Sequence, residues 1–131
     1  MQLYIHRPLL IAGRKFDVRG FGLLTSINGV HKGYFYRDCY FRTSSKPFDL
    51  TDLTNKYVHL TNDAVQYEAE DYGKFESANK LSIADFQRYL DANHSQLQVC
   101  FQRDLMPRME RLVTDSFRAV AGGTKIDPRR L

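Results

Sequence analysis

The segment Arg14-Lys15-Phe16-Asp17-Val18-Arg19 contains the densest group of side chains that could bind a charged ligand. On a β-strand alternate residues point to one face, which would bring Lys15, Asp17 and Arg19 together. Such a row could bind a polyanion, with lysine on phosphate or ribose, aspartate on sugar hydroxyls and arginine on a carboxylate. Spacing alone leaves a second interpretation open: a water-facing strand whose ion pairs each contribute about 0–1 kcal/mol.

Two further groups of polar residues could join this row. Arg37 and Arg42 are five positions apart, so on one strand they point to opposite faces and only one of them can accompany Arg19. The run His59-Leu60-Thr61-Asn62 places a hydroxyl beside an amide, a pair that can bind phosphate oxygens or a ligand amine. The same two side chains could instead cap a short helix over residues 63–66.

Several well-known catalytic signatures are absent from the sequence. It has no GxGxxG or GxxxxGK[ST] loop and no GxSxG elbow. Its four histidines, at positions 6, 31, 59 and 94, lack the spacing of a metal site. The cysteines, Cys39 and Cys100, lie outside any CxxC pattern and indicate free thiols in a reducing compartment.

Strand patterns that could position the charged row occupy the first half of the chain. Asn28-Gly29 is a tight-turn pair, so we predict an antiparallel hairpin over residues 16–43. The serines and the proline of residues 44–47 should end its second strand. The segments with strand-like composition or alternation are 2–5, 16–21, 33–42 and the short 57–58.

Helix patterns occupy the second half. Ser82 and Asp85 resemble a capping box, which predicts a helix from this point. A second helix is predicted over residues 96–121, with a possible restart at Pro107, which a first turn tolerates. Residues 64–78 show little periodicity and are expected to form a loop. The apolar stripe of the second helix is predicted to be core: Met109, Leu112, Val113, Ser116, Phe117 and Val120.

Composition and charge narrow the class of protein. The 131 residues (15.3 kDa) are 43% apolar and 26% charged, which is typical of one globular domain or part of one. The longest apolar stretch, 8–12, is too short for a membrane span, and no signal-peptide pattern is seen. Residues 1–47 carry eight basic and two acidic side chains, residues 48–98 carry four and nine, and residues 99–131 carry seven and four. The basic first third either attracts an acidic ligand or is a solvated surface.

Seven segments follow one another in a recognisable order: Gln2-Leu3-Tyr4-Ile5, Arg7-Pro8-Leu9-Leu10, Gly13-Arg14-Lys15-Phe16-Asp17-Val18-Arg19, Tyr34-Phe35-Tyr36-Arg37, Phe41-Arg42-Thr43-Ser44, His59-Leu60-Thr61-Asn62 and Asp71-Tyr72-Gly73-Lys74. Through about residue 120 the chain resembles the tubulin tyrosine ligase family. The RKFDVR and HLTN blocks at this separation are the most specific part of the resemblance.

The resemblance implies an α+β chain that is part of an ATP-grasp-like domain, with an antiparallel hairpin or sheet followed by two helices. Residues 1–131 would be its central segment. Strands would lie at about 2–43, loops and a phosphate-side motif at 44–78, and helices at about 82–121.

The resemblance also implies a reaction. It is the ATP-dependent addition of an amino acid, tyrosine or glutamate, to the acidic C-terminal tail of tubulin through an acyl-phosphate intermediate. ATP and Mg²⁺ would be the cofactors, and tubulin and the free amino acid the partners, without nucleic acid or membrane. The expected location is the cytoplasm, in association with the cytoskeleton.

Site residues follow from the same resemblance. Arg19, Arg42 and Lys80 would bind the acceptor tail or the incoming amino acid. The magnesium ligands are expected beyond Leu131, so the 131 residues alone are expected to be inactive. A non-catalytic binder of acidic tubulin tails, or a truncated or decayed gene product, is the alternative. The residues expected to bind ATP are Gln2, Leu3, Tyr4, Ile5, Lys15, Phe16, Asp17, Thr61 and Asn62.

Overall fold

A computed structural model of the protein describes residues 3–28 and 30–123, except for the side chains of residues 121–123. A 3₁₀ turn lies at Ser77–Asn79, another at Ser95–Leu97, and a π-helical turn at Phe101–Leu105. The strands and α-helices of these residues are β1 (Phe16–Ile27), β2 (Val30–Thr43), α1 (Lys56–His59), α2 (Asp63–Gln66), β3 (Lys80–Leu81), α3 (Ile83–Asn93) and α4 (Met106–Gly123).

The three strands form one antiparallel sheet in the order β1-β2-β3, and the two longer helices follow it in sequence. In β2 and β3, Phe41 pairs with Leu81 and Arg42 with Lys80. The predicted α+β class and the predicted hairpin are therefore confirmed. Asn28, in the turn between β1 and β2, adopts a left-handed φ of +50°, a conformation that asparagine tolerates better than most residues.

The described chain divides into two compact units. The first comprises the residues up to Arg19 together with Tyr40–Tyr89. The second comprises Gly20–Cys39 and the residues from Leu90 onward. β1, β2 and α3 each contribute residues to both units.

Three aromatic rings form a cluster within the apolar core of the first unit. The ring centroids of Phe41 and Phe86 are 4.0 Å apart in a stacked arrangement, and the ring of Phe16 lies 5.9 and 5.4 Å from them. Phe41 and Phe86 are fully buried, and burying one phenylalanine contributes about 1.5–3 kcal/mol. Because β1, β2 and α3 each supply one ring, this cluster joins the start of α3 to the strands.

A buried guanidinium forms the polar part of the same unit. Arg14 Nη1 donates to Thr43 Oγ1 and to the Ser44 carbonyl oxygen, each at 3.2 Å. Both terminal nitrogens of Arg14 bind the carboxylate of Glu76, and the guanidinium lies 4.2 Å from the centroid of the Phe75 ring. A charge this deeply buried is tolerated only because it is paired and hydrogen-bonded.

The start of α3 confirms the predicted capping box. Ser82 Oγ accepts from the backbone N–H of Asp85 at 3.1 Å, and Asp85 Oδ2 accepts from the backbone N–H of Ser82 at 3.3 Å. These two bonds satisfy donors that a helix start leaves without an intrahelical partner. Aspartate here performs the reciprocal role that glutamate usually has.

In the second unit, α4 packs closely on the hairpin at two glycines. A Cβ atom built on Gly22 would lie 2.9 Å from Val113 Cγ1 and 3.0 Å from Phe117 Cζ. One built on Gly20 would lie 3.3 Å from Met109 Cε. The absence of a side chain at residue 22 is therefore required for this approach of helix and strand.

Two short segments predicted as strands are not strands. Leu3, Tyr4 and Ile5 have no regular secondary structure and are exposed, Leu3 by 97%. Residues 57–58 lie in the helical turn α1, where the side chain of Asn55 accepts from the backbone N–H of Tyr57. Composition misled in both cases because a two- to four-residue run has too little periodicity to separate strand from turn. Gln2 lies outside the described residues.

The second predicted helix begins later than expected. Its α-helical part starts at Met106 and not at residue 96, with Pro107 in its first turn as predicted. Gln98 adopts a left-handed φ of +48° and interrupts the helical pattern after the 3₁₀ turn. Residues 64–78 are mainly turns and bends, as expected, apart from the end of α2 and the 3₁₀ turn that starts at Ser77.

The predicted inner stripe of α4 is only partly core. Met109, Val113 and Phe117 are half-buried, whereas Leu112 is 67% and Val120 59% exposed, and the side chain of Ser116 is exposed too. The hairpin covers a narrower face of α4 than the apolar pattern implies. No helix within the described ranges is long and apolar enough to cross a membrane.

Candidate functional site

The first unit contains a surface concavity of about 380 Å³ that is lined by side chains from the first sixteen residues of the chain. Its volume is in the range of small-molecule sites, and its wall is open to solvent at Leu3 and Ile5. Among the residues predicted to bind ATP, the structure brings Leu3, Tyr4 and Ile5 together with Lys15 and Phe16 of the RKFDVR block. The lining residues are Leu3, Tyr4, Ile5, Pro8, Lys15 and Phe16.

Lys15 provides the cationic group of this concavity. Its Nζ donates to the main-chain oxygen of His59 at 2.8 Å. The same nitrogen lies 3.5 Å from the Tyr4 hydroxyl oxygen and 4.5 Å from the centroid of the Tyr4 ring. An ammonium has three donors, so Lys15 can bind a ligand oxygen while it keeps its bond to His59.

His59 is a buried residue behind this wall, only 7% exposed. Its Nδ1 lies 2.7 Å from the Tyr4 hydroxyl and its Nε2 lies 2.8 Å from the main-chain oxygen of Asp52. The ring makes edge contacts with the rings of Tyr4 and Phe48, at centroid distances of 5.7 and 6.1 Å. Sequence reasoning recognised His59 only as part of a motif and gave it no role.

A row of alternating charges lies in the same unit, across the ends of the three strands. Arg42 binds Asp17 through two bonds, Nε to Oδ1 at 2.8 Å and Nη2 to Oδ2 at 2.5 Å. Lys80, the β3 partner of Arg42, donates to Asp63 Oδ2 at 2.8 Å, and the Tyr72 hydroxyl donates to Asp63 Oδ1 at 3.0 Å. The predicted substrate-binding residues Arg42 and Lys80 are therefore neighbours.

The ion pairs of this row shift the pKa values of Asp63, Lys80 and Arg42 further from neutral pH. The hydrogen bond from Lys80 lowers the pKa of Asp63, and the bond from Tyr72 lowers it further. The same contact with Asp63 raises the pKa of Lys80, and the bond to Asp17 raises the pKa of Arg42. Asp63, Lys80 and Arg42 are therefore charged at neutral pH, and an incoming carboxylate must compete with the carboxylates already bound to the two cations.

Thr61 and Asn62 follow α1 and lead into α2. Thr61 is 6% exposed, whereas Asn62 is exposed and occupies the N-cap position of α2. The amide of Asn62 makes no side-chain capping bond to this helix. The helix over residues 63–66 that the sequence offered as an alternative therefore exists, but the side chain of Asn62 does not cap it.

Gln66 is a structural residue that the sequence analysis missed. It is 1% exposed, and its Oε1 accepts from the backbone N–H of Ser45 at 2.7 Å. Its Nε2 donates to the main-chain oxygens of Tyr57 and Leu60. These bonds fix the segment that carries His59 and Thr61. The only signal in the sequence is the position of a glutamine four residues after the HLTN block.

The arginines of the two strands have different partners. Arg42 belongs to the first unit and binds Asp17, whereas Arg37 belongs to the second and forms an ion pair with Glu110 at 2.7 Å. Arg19, the third residue of the predicted row, is exposed. The structure joins Asp17 with Arg42 across the two strands. That Lys15, Asp17 and Arg19 bind one ligand together stays a prediction.

Residues 3–28 and 30–123 contain no group of three or more His, Cys, Asp or Glu side chains that could bind a metal ion.

The fold and the site define an α+β protein with an apolar concavity next to a cation and a row of charged side chains. The model of the tubulin-tyrosine ligase family matches residues 1–129. The chain belongs to this family.

Curated relatives agree with the family assignment. The chain is 34% identical over 119 residues to "Probable tubulin polyglutamylase TTLL9" of Mus musculus, covering 91% of this chain and 25% of the relative. It is 40% identical over 94 residues to "Tubulin glycylase 3B" of Drosophila melanogaster, covering 69% of this chain and 12% of the relative. It is 49% identical over 70 residues to "Tubulin monoglycylase TTLL3" of Homo sapiens, covering 53% of this chain and 9% of the relative. The chain spans a quarter or less of the length of these relatives.

Proposed function

We propose that this protein is part of an ATP-dependent ligase of ATP-grasp type that adds an amino acid to a carboxylate of a tubulin tail. The observation that carries the proposal is the convergence of Tyr4, Lys15 and Phe16 on one concavity. The names of the relatives favour glutamate or glycine over tyrosine as the added amino acid. Because those names refer to tubulin, we propose that the protein acts at the cytoskeleton.

In this proposal ATP occupies the concavity. Adenine lies along residues 3–5, where backbone groups can bind it, and against the ring of Phe16. Lys15 binds phosphate oxygens, and Asp17 accepts from ribose hydroxyls. Thr61 and Asn62 bind beside the phosphates. Support comes from the residues that line the concavity and from the Lys15 ammonium, which retains one donor beside its contacts with His59 and Tyr4.

The reaction proposed has two steps. An oxygen of the acceptor carboxylate attacks the terminal phosphorus of ATP, ADP leaves, and an acyl phosphate forms. The amino group of the incoming amino acid then attacks the acyl carbon, phosphate leaves, and the nitrogen loses a proton to give an amide. Magnesium, when bound, would neutralise phosphate charge. The residues described above would supply orientation and further neutralisation.

The acceptor tail or the incoming amino acid would bind at the charged row. Arg42 and Lys80 are adjacent and already bound to carboxylates, those of Asp17 and Asp63. A substrate carboxylate of the same chemistry could replace either internal partner without leaving a cation unpaired. Arg19 is proposed as a third contact, which suits an acidic peptide that extends beyond one residue.

The test is ATP binding and amino-acid incorporation by the complete protein that contains this sequence. Lys15→Ala is compared with Lys74→Ala, which removes an exposed lysine that does not line the concavity. We expect Lys15→Ala to weaken ATP binding about tenfold or more, equivalent to about 1.4 kcal/mol, and Lys74→Ala to leave it within about twofold. Equal ATP affinity in both variants, or no ATP binding by the wild-type protein, would refute the proposal.

Incorporation identifies the amino acid and the acceptor. Radiolabelled glutamate, glycine and tyrosine are offered separately with ATP and an acidic tubulin-tail peptide. We expect label from glutamate or glycine to enter the peptide with release of ADP and phosphate. Absence of label from all three, by a wild-type protein that binds ATP, would refute ligation and favour the alternative of a tail-binding protein.

A further inference from the structure

His59 connects three separate segments of the first unit. Its Nε2 contacts the main-chain oxygen of Asp52, its Nδ1 contacts the Tyr4 hydroxyl, and its own carbonyl oxygen accepts from Lys15. The imidazole is buried between the rings of Tyr4 and Phe48. Two of its three polar partners, Tyr4 and Lys15, line the concavity.

These contacts determine the tautomer of His59. A carbonyl oxygen only accepts, so Nε2, at 2.8 Å from the Asp52 oxygen, must carry the proton. In the neutral ring Nδ1 is then an acceptor, and the Tyr4 hydroxyl donates to it at 2.7 Å. The hydrogen bonds therefore run in one direction, from Tyr4 to His59 and from His59 to Asp52.

Tyr4 depends on this contact for its position. Residues 3–5 have no regular secondary structure, and the neighbouring side chains of Leu3 and Ile5 are exposed. The bond from Tyr4 joins this segment to a histidine 55 positions later in the chain, in α1. Gln66 in turn fixes the end of α1 through the main-chain oxygens of Tyr57 and Leu60.

We propose that His59 is a positioning residue, which holds the Tyr4 side chain and the Lys15 ammonium in the arrangement that receives ATP. This inference rests on the proposed function, because it assumes that ATP occupies the concavity. His59 need not touch the nucleotide. Its effect is that the wall is ordered before ATP arrives, so less of the binding free energy is lost in ordering it.

Two substitutions of His59 separate positioning from simple structural support. The amide oxygen of His59→Asn falls near the place of Nδ1 and can still accept from Tyr4, whereas the amide nitrogen of His59→Gln falls near Nε2 and can still donate to Asp52. Tyr4→Phe removes the same bond as His59→Gln, from the other side. His31→Gln, in the second unit, is the control for a histidine that does not line the concavity.

The measurement is KM for ATP and kcat of the complete protein, with ATP affinity by calorimetry and the melting temperature of each variant. We expect His59→Gln and Tyr4→Phe each to raise KM about threefold to tenfold, with kcat within about twofold, since one positioning hydrogen bond is lost. Their combination should be no worse than either alone, because both remove the same bond. His59→Asn should keep KM within about twofold even if its melting temperature falls as far as that of His59→Gln.

The outcomes distinguish this inference from the proposed function. If the wild-type protein fails to bind ATP, the proposed function and this inference are both refuted. If the wild-type protein binds ATP and Tyr4→Phe binds it equally well, only the inference is refuted. Equal rises of KM in His59→Asn and His59→Gln, or additive effects of Tyr4→Phe and His59→Gln, would assign His59 a general structural role and also refute it.

Discussion

The first unit contains a buried network of directional polar bonds, whereas the second depends on the close packing of a helix on a hairpin. In the first, Arg14 and Glu76 form a buried ion pair, and Gln66 binds the main chain of two loops. In the second, α4 approaches β1 so closely that Gly22 has no room for a side chain. The candidate site lies in the same unit as the polar network.

The exposed surfaces of the two units also differ, since one carries charged side chains and the other large apolar ones. The concavity of the first unit has a lysine at its wall and a row of ion pairs in the same unit. The hairpin of the second unit instead exposes large apolar side chains: Phe21, Leu23, Ile27, Val30, Tyr34 and Tyr36. We therefore expect substitutions at the candidate site to change ligand binding, and substitutions at the contact of α4 with the hairpin to change stability.

The largest expected effect is on the buried ion pair. Glu76→Ala leaves the guanidinium of Arg14 buried without its carboxylate, and we expect a loss of about 3–5 kcal/mol in the free energy of unfolding. Urea denaturation measures it. Glu68→Ala, which removes an exposed ion pair with Lys56, is the matched control and should cost about 0–1 kcal/mol. Similar losses in the two variants would show that burial of the Arg14 pair does not matter.

Next in size is the close approach in the second unit. In Gly22→Ala the new methyl would lie 2.9 Å from Val113 Cγ1, and we expect a loss of about 1–3 kcal/mol from overpacking. Gly20→Ala, whose nearest neighbour is the flexible end of Met109, should cost less. ATP affinity should not change in either variant. A Gly22→Ala protein as stable as wild type would contradict the packing account.

A smaller effect is expected at the start of α3. Ser82→Ala removes the acceptor for the backbone N–H of Asp85, and loss of an N-cap costs about 0.5–2 kcal/mol. Ser82→Asp restores an acceptor and should recover part of the loss. Thermal unfolding followed by circular dichroism measures both. The capping box would be irrelevant to stability if Ser82→Ala melted with the wild-type protein.

The smallest effect is the pH dependence from Asp63. Its pKa is lowered by the bond from Lys80, so the folded state binds fewer protons than the unfolded state in this range. Its stabilisation is complete above the ordinary aspartate pKa of about 3.9 and is lost as pH falls through the lower folded value. As the pH is lowered from about 6 to about 2, the range in which carboxylates titrate, the midpoint of unfolding should fall less steeply in Asp63→Asn than in the wild-type protein. Parallel profiles would contradict this assignment.

Sequence patterns predicted the elements whose causes are local. The hairpin follows from alternation and from a turn pair at residues 28–29, and the start of α3 follows from Ser82 and Asp85, three positions apart. The order of the RKFDVR and HLTN blocks indicated the family that the comparison over residues 1–129 confirmed. At the turn of the hairpin and at the start of α3, the residues that form the pattern are close in sequence.

Only the tertiary structure decided which distant groups meet. Tyr4 and His59 are 55 positions apart and Arg14 and Glu76 are 62 apart. The same reason explains the errors: exposure of Leu112 depends on how much of α4 the hairpin covers, not on the apolar pattern of the helix. Residue type and spacing act through backbone geometry over a few positions, whereas a partner far along the chain is chosen by the folded path of everything between them.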